Sequence, residues 1–599
     1  MYIRVKSSKL SPRKSVQIVK SVRTGKRVSQ VILQHVGIAH DEKQLSELRE
    51  LGRKLILEME EREQPSLPGF SLLENEEAWE RPVGDGERVN LRAMKNLEQV
   101  TEGPGEVVES LFSSLGFEEI FGVSSRGKGN TEVLKKCLAC ALANPSSKRG
   151  MSRWLEDEGG TDMSLNRIYR MMDALAKKTD RVREIVARET ASLFETKASL
   201  LLFDVTTLYF ESVEADALRV SGYSKDNRIQ ETQVVLALAV TPEGFPLWYD
   251  LFPGNTFEGH TLVPVLRRCM ETFSPRQAVV VADRAMFTEE NLHEVEKAGC
   301  SFVVGAKLRG LSRTMREKIL DAGNYSPLPG GSPVFPEGER ETCSPSRWYS
   351  VPLGNGRNLL VTWSERRARK DASDRERLLA RLRKKLQGKK TLPGKSLVTN
   401  RGTNKYLSLE NSNGQDRYIL DEEKILRDSR WDGLHGVITN LPVESAAEAQ
   451  DILAHYGSLW RIEESFRVNK HDLSIRPVYH WVPRRIEAHI ALTYLAFALL
   501  RHLQHRVAVR QNAVMSALAI RTALLEVQST LMKDGETGKL YRFPKAMSEN
   551  ARKIYRSLGL VRGLGNTEIL SVRKYRNRKG IRSAGTDGDG TAGEETGRN

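Results

Sequence analysis

Cysteine is scarce in this 599-residue chain: there are five, Cys137, Cys140, Cys269, Cys300 and Cys343, an odd and scattered set. So sparse a set excludes a disulfide framework and points to a reducing compartment, with the cytoplasm as the default. Cys137 and Cys140 form a CxxC, but no second pair accompanies them and both fall inside an apolar helical pattern, which predicts packed core thiols rather than zinc ligands. The longest apolar run, Ile490 to Leu500, is too short to span a bilayer, and no charged-then-apolar leader opens the sequence. A soluble, unexported protein with no membrane partner is expected. Acid is also in deficit: 77 Asp and Glu against 93 Lys and Arg leave a formal charge of +16, which favours a polyanionic partner.

A chain this long exceeds what one hydrophobic core organises, so several domains are expected. Residues 1–88 begin with alternating segments such as Tyr2-Ile-Arg-Val and Val31-Ile-Leu-Gln, then run into a charged helical stretch from Glu42 to Glu61, which predicts a small basic α+β module. Over 89–197 the apolar period becomes helical, as in Val107, Val108, Leu111 and Phe112, giving a helical domain that could bind DNA or dimerise, although its period does not decide which. Residues 198–306 read as three strands, a helix, a strand, a helix and a strand, a mixed α/β layer. The stretch 307–433 interrupts it with Pro and Gly clusters and short apolar runs, as an inserted domain would. The α/β pattern resumes over 434–530, and 531–599 is a C-terminal segment whose polar end, around Gly585 to Gly590, is expected to be disordered.

Three acids carry the chemistry. Asp204 follows the apolar run Leu200-Leu201-Leu202-Phe203 and Asp283 follows Val279-Val280-Val281-Ala282, so both are expected to terminate buried strands. Glu463 lies in a helical stretch from Tyr456 to Lys470. Two divalent ions can activate the attacking oxygen and stabilise the leaving oxygen of an in-line phosphodiester displacement. Magnesium accepts one or two carboxylates with waters and substrate phosphate completing its shell. Asp204 is the candidate bridging ligand, with Asp283 and Glu463 each completing one ion's shell. On one continuous helix Tyr456, Arg467 and Lys470 would project within about 40° of Glu463. Alternatively, Glu463 pairs with Arg467 at i,i+4 and the aspartates merely cap turns.

These residues resemble the DDE transposases of bacterial insertion sequences, in the insertion-sequence-four branch whose third acid lies in a Tyr-x2-Arg-x3-Glu-x6-Lys signature. Tyr456, Glu463 and Lys470 match that spacing, and Phe203-Asp204-Val-Thr-Thr-Leu-Tyr-Phe, Ala282-Asp283-Arg-Ala-Met-Phe, Ile462-Glu463-Glu-Ser-Phe-Arg467, Gly222-Tyr-Ser-Lys-Asp226 and Arg476-Pro-Val-Tyr-His480 are similar in context. The signature's arginine falls on Leu459, which cannot bind phosphate; Arg467 is a better substitute than Arg461, which projects from nearly the opposite face. The resemblance implies an α/β fold: a ribonuclease-H-like catalytic core with a largely β insertion domain between its second and third acids, preceded by a small α+β module and a helical domain that bind the element's terminal inverted repeats. It also implies two Mg²⁺ ions, with Mn²⁺ as a substitute. The partners implied are double-stranded DNA, at the element's ends and at the target, and a second copy of the chain in a homodimer on DNA. The bound protein would be nucleoid-associated.

Further DNA contacts are expected from Arg381, Arg383, Lys384 and Lys385 in the basic run that starts at Arg366, although Glu365, Asp371, Asp374 and Glu376 could instead lace it into a solvated helix. Lys225 and Arg228, in a loop after the first strand, are candidates for phosphate contact. Trp348, Trp363 and Trp431 either stack on a flipped base or, the simpler role, pack in a core. His480 and His489 are expected to complete hydrogen bonds near the helix from Pro483 rather than bind metal. Two other functions stay open on the sequence: a structure-selective nuclease without strand transfer, and a non-catalytic DNA-binding derivative.

Overall fold

A computed structural model describes residues 2–8, 11–24, 27–39, 45, 90–193, 200–210, 214–222, 231–273, 278–286, 288–328, 347–387, 402–412, 415–562 and 567–568. The charged helix expected over 42–61, the polar C-terminal tail, Cys343, Lys225 and Arg228 lie outside the described residues, as does the side chain of Lys385. Two compact units divide the chain: Met1–Glu98 with Thr530–Pro544 and Arg562–Leu570, and Gln99–Ser529 with Lys545–Val561.

In the first unit the alternating segments form the antiparallel strands β1 (Tyr2–Ser8), β2 (Ser11–Thr24) and β3 (Arg27–Ala39), paired in that order. Another strand, β4 (Met94–Thr101), belongs to a sheet completed by strands from the end of the sequence.

The second unit opens with helices α1 (Gly103–Ser114), α2 (Ser125–Ala143), α3 (Lys148–Asp157), α4 (Leu165–Leu175) and α5 (Thr179–Leu193). The Ser124 and Ser147 hydroxyls cap α2 and α3 by accepting from the Gly127 and Gly150 amides, satisfying N–H groups that the first helical turn leaves open. The residues that set the helical period, among them Val107, Leu111, Ile168, Met171 and Leu175, are fully buried. Cys137 and Cys140 are buried on α2 as core thiols, and burial pushes the Cys137 thiol up to about 12.

Next come β5 (Leu200–Tyr209), β6 (Val220–Ser221), β7 (Thr232–Val240), β8 (Pro246–Pro253), α6 (Leu262–Phe273), β9 (Val279–Ala282), α7 (Glu289–Lys297) and β10 (Ser301–Gly305). Apart from the short β6, this is the order that the apolar runs predict. The stretch read as a largely β insertion supplies α8 (Arg313–Leu320), β11 (Ser326–Pro327), β12 (Arg347–Gly354), β13 (Arg357–Trp363), the 23-residue α9 (Glu365–Gln387), the hairpin β14 (Leu407–Ser412) and β15 (Gln415–Leu420), and α10 (Glu422–Ser429). Here the structure amends the expectation, because β12 and β13 do not fold apart. They continue the main sheet through β16 (Leu434–Thr439), giving the order β11-β12-β13-β16-β10-β9-β5-β7-β6 with β8 also on β7. The apolar residues of Leu359-Leu-Val361 are buried in the sheet, which explains the incorporation.

The remaining elements are α11 (Ala446–Gly457), α12 (Trp460–Arg467), α13 (Pro483–Gln511), α14 (Ala517–Leu525), β17 (Gln528–Asp534), β18 (Leu540–Pro544), α15 (Glu549–Leu558) and β19 (Thr567–Glu568), with β4, β17, β18 and β19 forming one sheet. Helix α13 is long and apolar enough to cross a membrane, but 94% of its most apolar window is buried inside the fold. Around it pack α2, α4, α5 and α15, so the helical region before the sheet shares one apolar core with α13 and one face of the sheet. Phe497 is completely buried in that core. Phe497→Ala is expected to cost about 3–5 kcal/mol, read as a lower urea midpoint for the second unit.

A candidate site at the ends of the parallel strands

The parallel part of the sheet fixes the two aspartates. Strand β9 pairs with β5 from Leu200↔Val279 to Phe203↔Ala282, and on its other side with β10 from Ser301↔Val279 to Val304↔Ala282. Asp204 and Asp283 occupy the next position on each strand, where neighbouring backbones run about 5 Å apart. Alternation puts Asp204 on the face of Leu200 and Leu202, and Asp283 on the face of Val281, all part of the core under α13. Both acids therefore belong to one sheet face at the carboxyl ends of parallel strands, the place where open α/β sheets bind ligands.

One detail differs from the expectation. Asp283 does follow the last residue of its strand, but Asp204 lies within β5, which continues to Tyr209 paired with β7 through Asp204↔Leu238 and Tyr209↔Gln233. The β-branched and aromatic residues Val205, Thr206, Thr207 and Tyr209 suit this extension. What ends at Asp204 is the partner strand on one side, and that opens the crevice. The Asp204 carboxylate accepts the Val205 amide at 2.8 Å, and that of Asp283 accepts the Arg284 amide at 2.6 Å.

Glu463 comes from α12, which packs on β5 through the face bearing Ile462 and Phe466. The two adjacent glutamates have different surroundings. Glu464 is 3.5 Å from Arg461 and 3.5 Å from Arg501 of α13, whose side chain is 8% exposed, so it ties α12 to the core helix. Burial pulls the Arg501 guanidinium down from its ordinary value, and Glu464 opposes that shift. Glu463 is exposed, and among the described residues neither it nor Arg467 has an ion-pair partner, so the i,i+4 pair weighed on the sequence does not form.

The single helix expected from about 444 to 470 is in fact broken. Gly457 ends α11, Leu459, Arg461 and Ile462 bond to carbonyls three residues back, and Val468–Asp472 is a π turn that contains Lys470. Tyr456 and Lys470 are thus not on one regular face with Glu463. The break nonetheless leaves Tyr456 beside the acids. Burial pushes its phenol up, Asp283 and Glu463 push it the same way, and Arg367 and Arg284 oppose them. Tyr456 lies over Gly305 at the end of β10: a Cβ there would stand 2.7 Å from the hydroxyl. Its ring is 5.2 Å from that of His435, which burial and Arg367 pull down to about 4 and so hold neutral.

Gly305, Arg284 and His435 escaped the sequence reading. Arg284 follows an aspartate already singled out, whereas His435 and Gly305 carry no periodic signal. Arg284 and His435 border a cleft of about 500 Å³ that also takes in Lys307, Arg309, Arg367 and Trp431. Arg309 pairs with Asp428 there and Arg375 with Asp432, while Arg284, Lys307 and Arg367 have no carboxylate partner among the described residues. On α9 the basic run divides: Arg369, Arg377 and Arg383 pair with Glu365, Asp374 and Glu376, whereas Arg381 and Lys384 are exposed and without an ion pair among the described residues. Trp348 and Trp431 pack against apolar clusters. His489 Nε2 is 3.0 Å from the Ile475 carbonyl, a bond of the expected kind.

Asp204, Asp283 and Glu463 offer hard oxygen donors on one face of the sheet, although among the described residues no three His, Cys, Asp or Glu stand close enough together to hold a metal ion. This defines a carboxylate-based site at the strand ends of a mixed α/β domain. The transposase DDE domain family matches residues 195–499, more than half of the chain, and the chain belongs to that family. It is a transposase, an enzyme of DNA transposition, and domains of its family depend generally on divalent metal. No curated protein matches the sequence. Among solved structures, a piggyBac transposase synaptic complex with hairpin DNA is similar at TM-score 0.35 and 9% identity, over 71% of this chain and 77% of that one. A Mos1 transposase paired-end complex with the left transposon end is similar at TM-score 0.13 and 11% identity, over 29% of this chain and 57% of that one.

Gly305→Ala is expected to displace the Tyr456 hydroxyl, a movable side-chain end, and to lower DNA cleavage about tenfold with little change in Tm. Gly305→Ala cleaving at the wild-type rate would remove Tyr456 from the site. Replacing Arg284, Lys307 and Arg367 together by Gln should lower the slope of log Kd against log salt by about two to three units in DNA titrations. Replacing Arg381, Arg383, Lys384 and Lys385 together should also flatten it, and an unchanged slope would make that helix face a solvated one.

Proposed function

We propose that this transposase cleaves DNA at the terminal inverted repeats of an insertion sequence and transfers the freed 3′ hydroxyl to target DNA, using magnesium ions held by Asp204, Asp283 and Glu463 in a ribonuclease-H-like core. The observation that carries this reading is the parallel register that ends at Phe203↔Ala282 and leaves two aspartates side by side on one face. The donor set fits a hard divalent cation, since all three groups are carboxylates and magnesium takes few protein ligands. When bound, such ions would supply Lewis-acid stabilisation of both the entering and the leaving oxygen.

Each residue has its own task in this proposal. Asp204 would be the shared ligand, and Asp283 and Glu463 would complete the two shells. Glu463, exposed on the anchored helix α12, would have to be drawn onto the aspartates when the ions bind. Arg467, one turn past Glu463, and Lys470 in the π turn hold phosphates of the bound strand, while Tyr456 borders the reacting phosphate from the side of Gly305. Arg284, Lys307 and Arg367 continue the phosphate path into the cleft. Lys225 and Arg228 remain candidates for the loop after β5. Two copies of the chain on paired ends, a homodimer assembled on DNA, would make the two cuts.

Asp204→Asn keeps the size of the side chain and removes its charge. It is expected to lower nicking of a duplex carrying the element's end by at least about 100-fold in Mg²⁺, with Kd for the duplex nearly unchanged. Nicking at the wild-type rate by folded, DNA-bound Asp204→Asn protein would end this proposal, and nicks without joined products from the wild-type chain would reduce it to a nuclease.

A further inference from the structure

A second cavity, of about 190 Å³, lies away from the three acids and is lined by Ser147, Lys148, Arg476, Tyr479, His480 and His489 among others, with no carboxylate in its wall. Lys148 is 5% exposed and, among the described residues, has neither a hydrogen-bond acceptor nor an ion-pair partner. Burying an unpaired ammonium costs several kcal/mol, so burial pulls the Lys148 amine down from its ordinary value unless an anion answers it. Its position adds to that cost: Lys148 is the first residue of α3, where the helix already concentrates positive charge and directs open amides outward. The two histidines of the wall add no charge. Burial pulls the His480 imidazole down to about 4, helped by Lys148 and Arg485. His489, fully enclosed, is pulled down by burial, Lys148 and His480, and its ring braces the wall through the Ile475 carbonyl.

The cavity is also connected to the reaction site. Arg476 lies over the Tyr209 ring, 5.3 Å from its centre, and Tyr209 ends the strand that carries Asp204. Five residues of strand separate the two by about 16 Å, roughly five nucleotide steps along DNA. Tyr479 and Trp481, beside the cavity, are 60% and 59% exposed, as aromatic surfaces that take sugar or base faces are.

We infer that this cavity is a phosphate site, built by Lys148, Arg476 and the amino end of α3, which holds a backbone phosphate of the DNA end several nucleotides from the scissile bond. The inference rests on the DNA-cleaving reading above, and it assigns to Lys148 a positioning role rather than a chemical one. An oxyanion there would meet the buried ammonium, the guanidinium and the helix amides together. Free phosphate shares that chemistry, so the two sources must be separated.

The test uses the full chain and its Lys148→Met variant, which keeps the side-chain volume and removes only the charge. About 20 mM inorganic phosphate, against chloride at equal ionic strength, is expected to raise the wild-type Tm by about 2 °C and to leave Lys148→Met unmoved. In metal-free titrations with a duplex carrying the element's end, the variant is expected to lower the slope of log Kd against log salt by about one unit. An unchanged slope with a Lys148-dependent phosphate response would mark a site for free phosphate and overturn the DNA assignment. An unchanged slope with no such response leaves no anion site at all. A lower slope without the phosphate response would place the lysine's effect outside the cavity and overturn the inference too. Because binding is read without metal, an inert catalytic centre would end the cleavage reading while leaving these slopes measurable.

Discussion

The arrangement of this site depends on a hydrogen-bond ladder four rungs long. Strand β9 pairs with β5 only from Val279 to Ala282, and this brevity sets Asp204 and Asp283 at adjoining positions with nothing paired beyond them on that side. Had β9 run on, Asp204 would sit in a closed sheet between two neighbours. Because β7 keeps pairing with β5 as far as Tyr209, the strand does not fray where its other partner stops. Rigidity on one side and a vacant flank on the other are what two carboxylates need to face a common volume. A one-residue slip of the ladder would send one aspartate to the opposite face.

The third acid depends on a different constraint, a helix anchored to a helix. Ile462 and Phe466 seat α12 in the core below the sheet, and Glu464 reaches Arg501 on α13, a guanidinium too deeply placed to be left alone. Replacing Glu464 would strand a buried charge, which is costly, whereas Glu463 is anchored by no ion pair among the described residues. On the proposed reading, the same pair of residues separates support from chemistry. The break after Gly457 serves this arrangement too. It turns Tyr456 over Gly305, the one residue type that leaves space for its hydroxyl there.

How much of this the sequence disclosed follows from the range of each interaction. Asp204, Asp283 and Glu463 announced themselves through apolar runs and spacing, which are local properties, and so did the strand and helix order from Leu200 to Gly305. The extension of β5 past Asp204 did not, because it is decided by β7, a strand more than twenty residues away. The break in the helix before Glu463 was hidden by apolar periodicity that continues across Gly457. Incorporation of β12 and β13 into the main sheet is a pairing choice between segments separated by long loops, and Pro-rich punctuation on both sides suggested a separate domain instead. His435 and Gly305 matter only through Tyr456, a contact with no counterpart in local sequence.

Incorporation of those strands changes what the inserted stretch can do. A separate β domain would present its cations wherever its linkers allowed. Here β13 leads directly into α9, with Arg367 near its start, and β16, between β13 and β10, bears His435 in the same sheet whose strands β9 and β5 position the aspartates. The cations at Arg284, Lys307 and Arg367 and the acids at 204, 283 and 463 are therefore mounted on one hydrogen-bonded framework, with Tyr456 and neutral His435 between them. Two opposite charge clusters this close would collapse into ion pairs if side chains could reach. Among the described residues Asp283, Glu463, Arg284 and Arg367 remain without ion pairs, so backbone placement holds them apart. On the proposed reading, the oxygens of a bound phosphodiester would meet the arginines and lysine, and divalent ions held by the acids would neutralise the rest. On this view the inserted stretch extends the sheet and adds Arg367 to the cations Arg284 and Lys307, which follow the core strands β9 and β10.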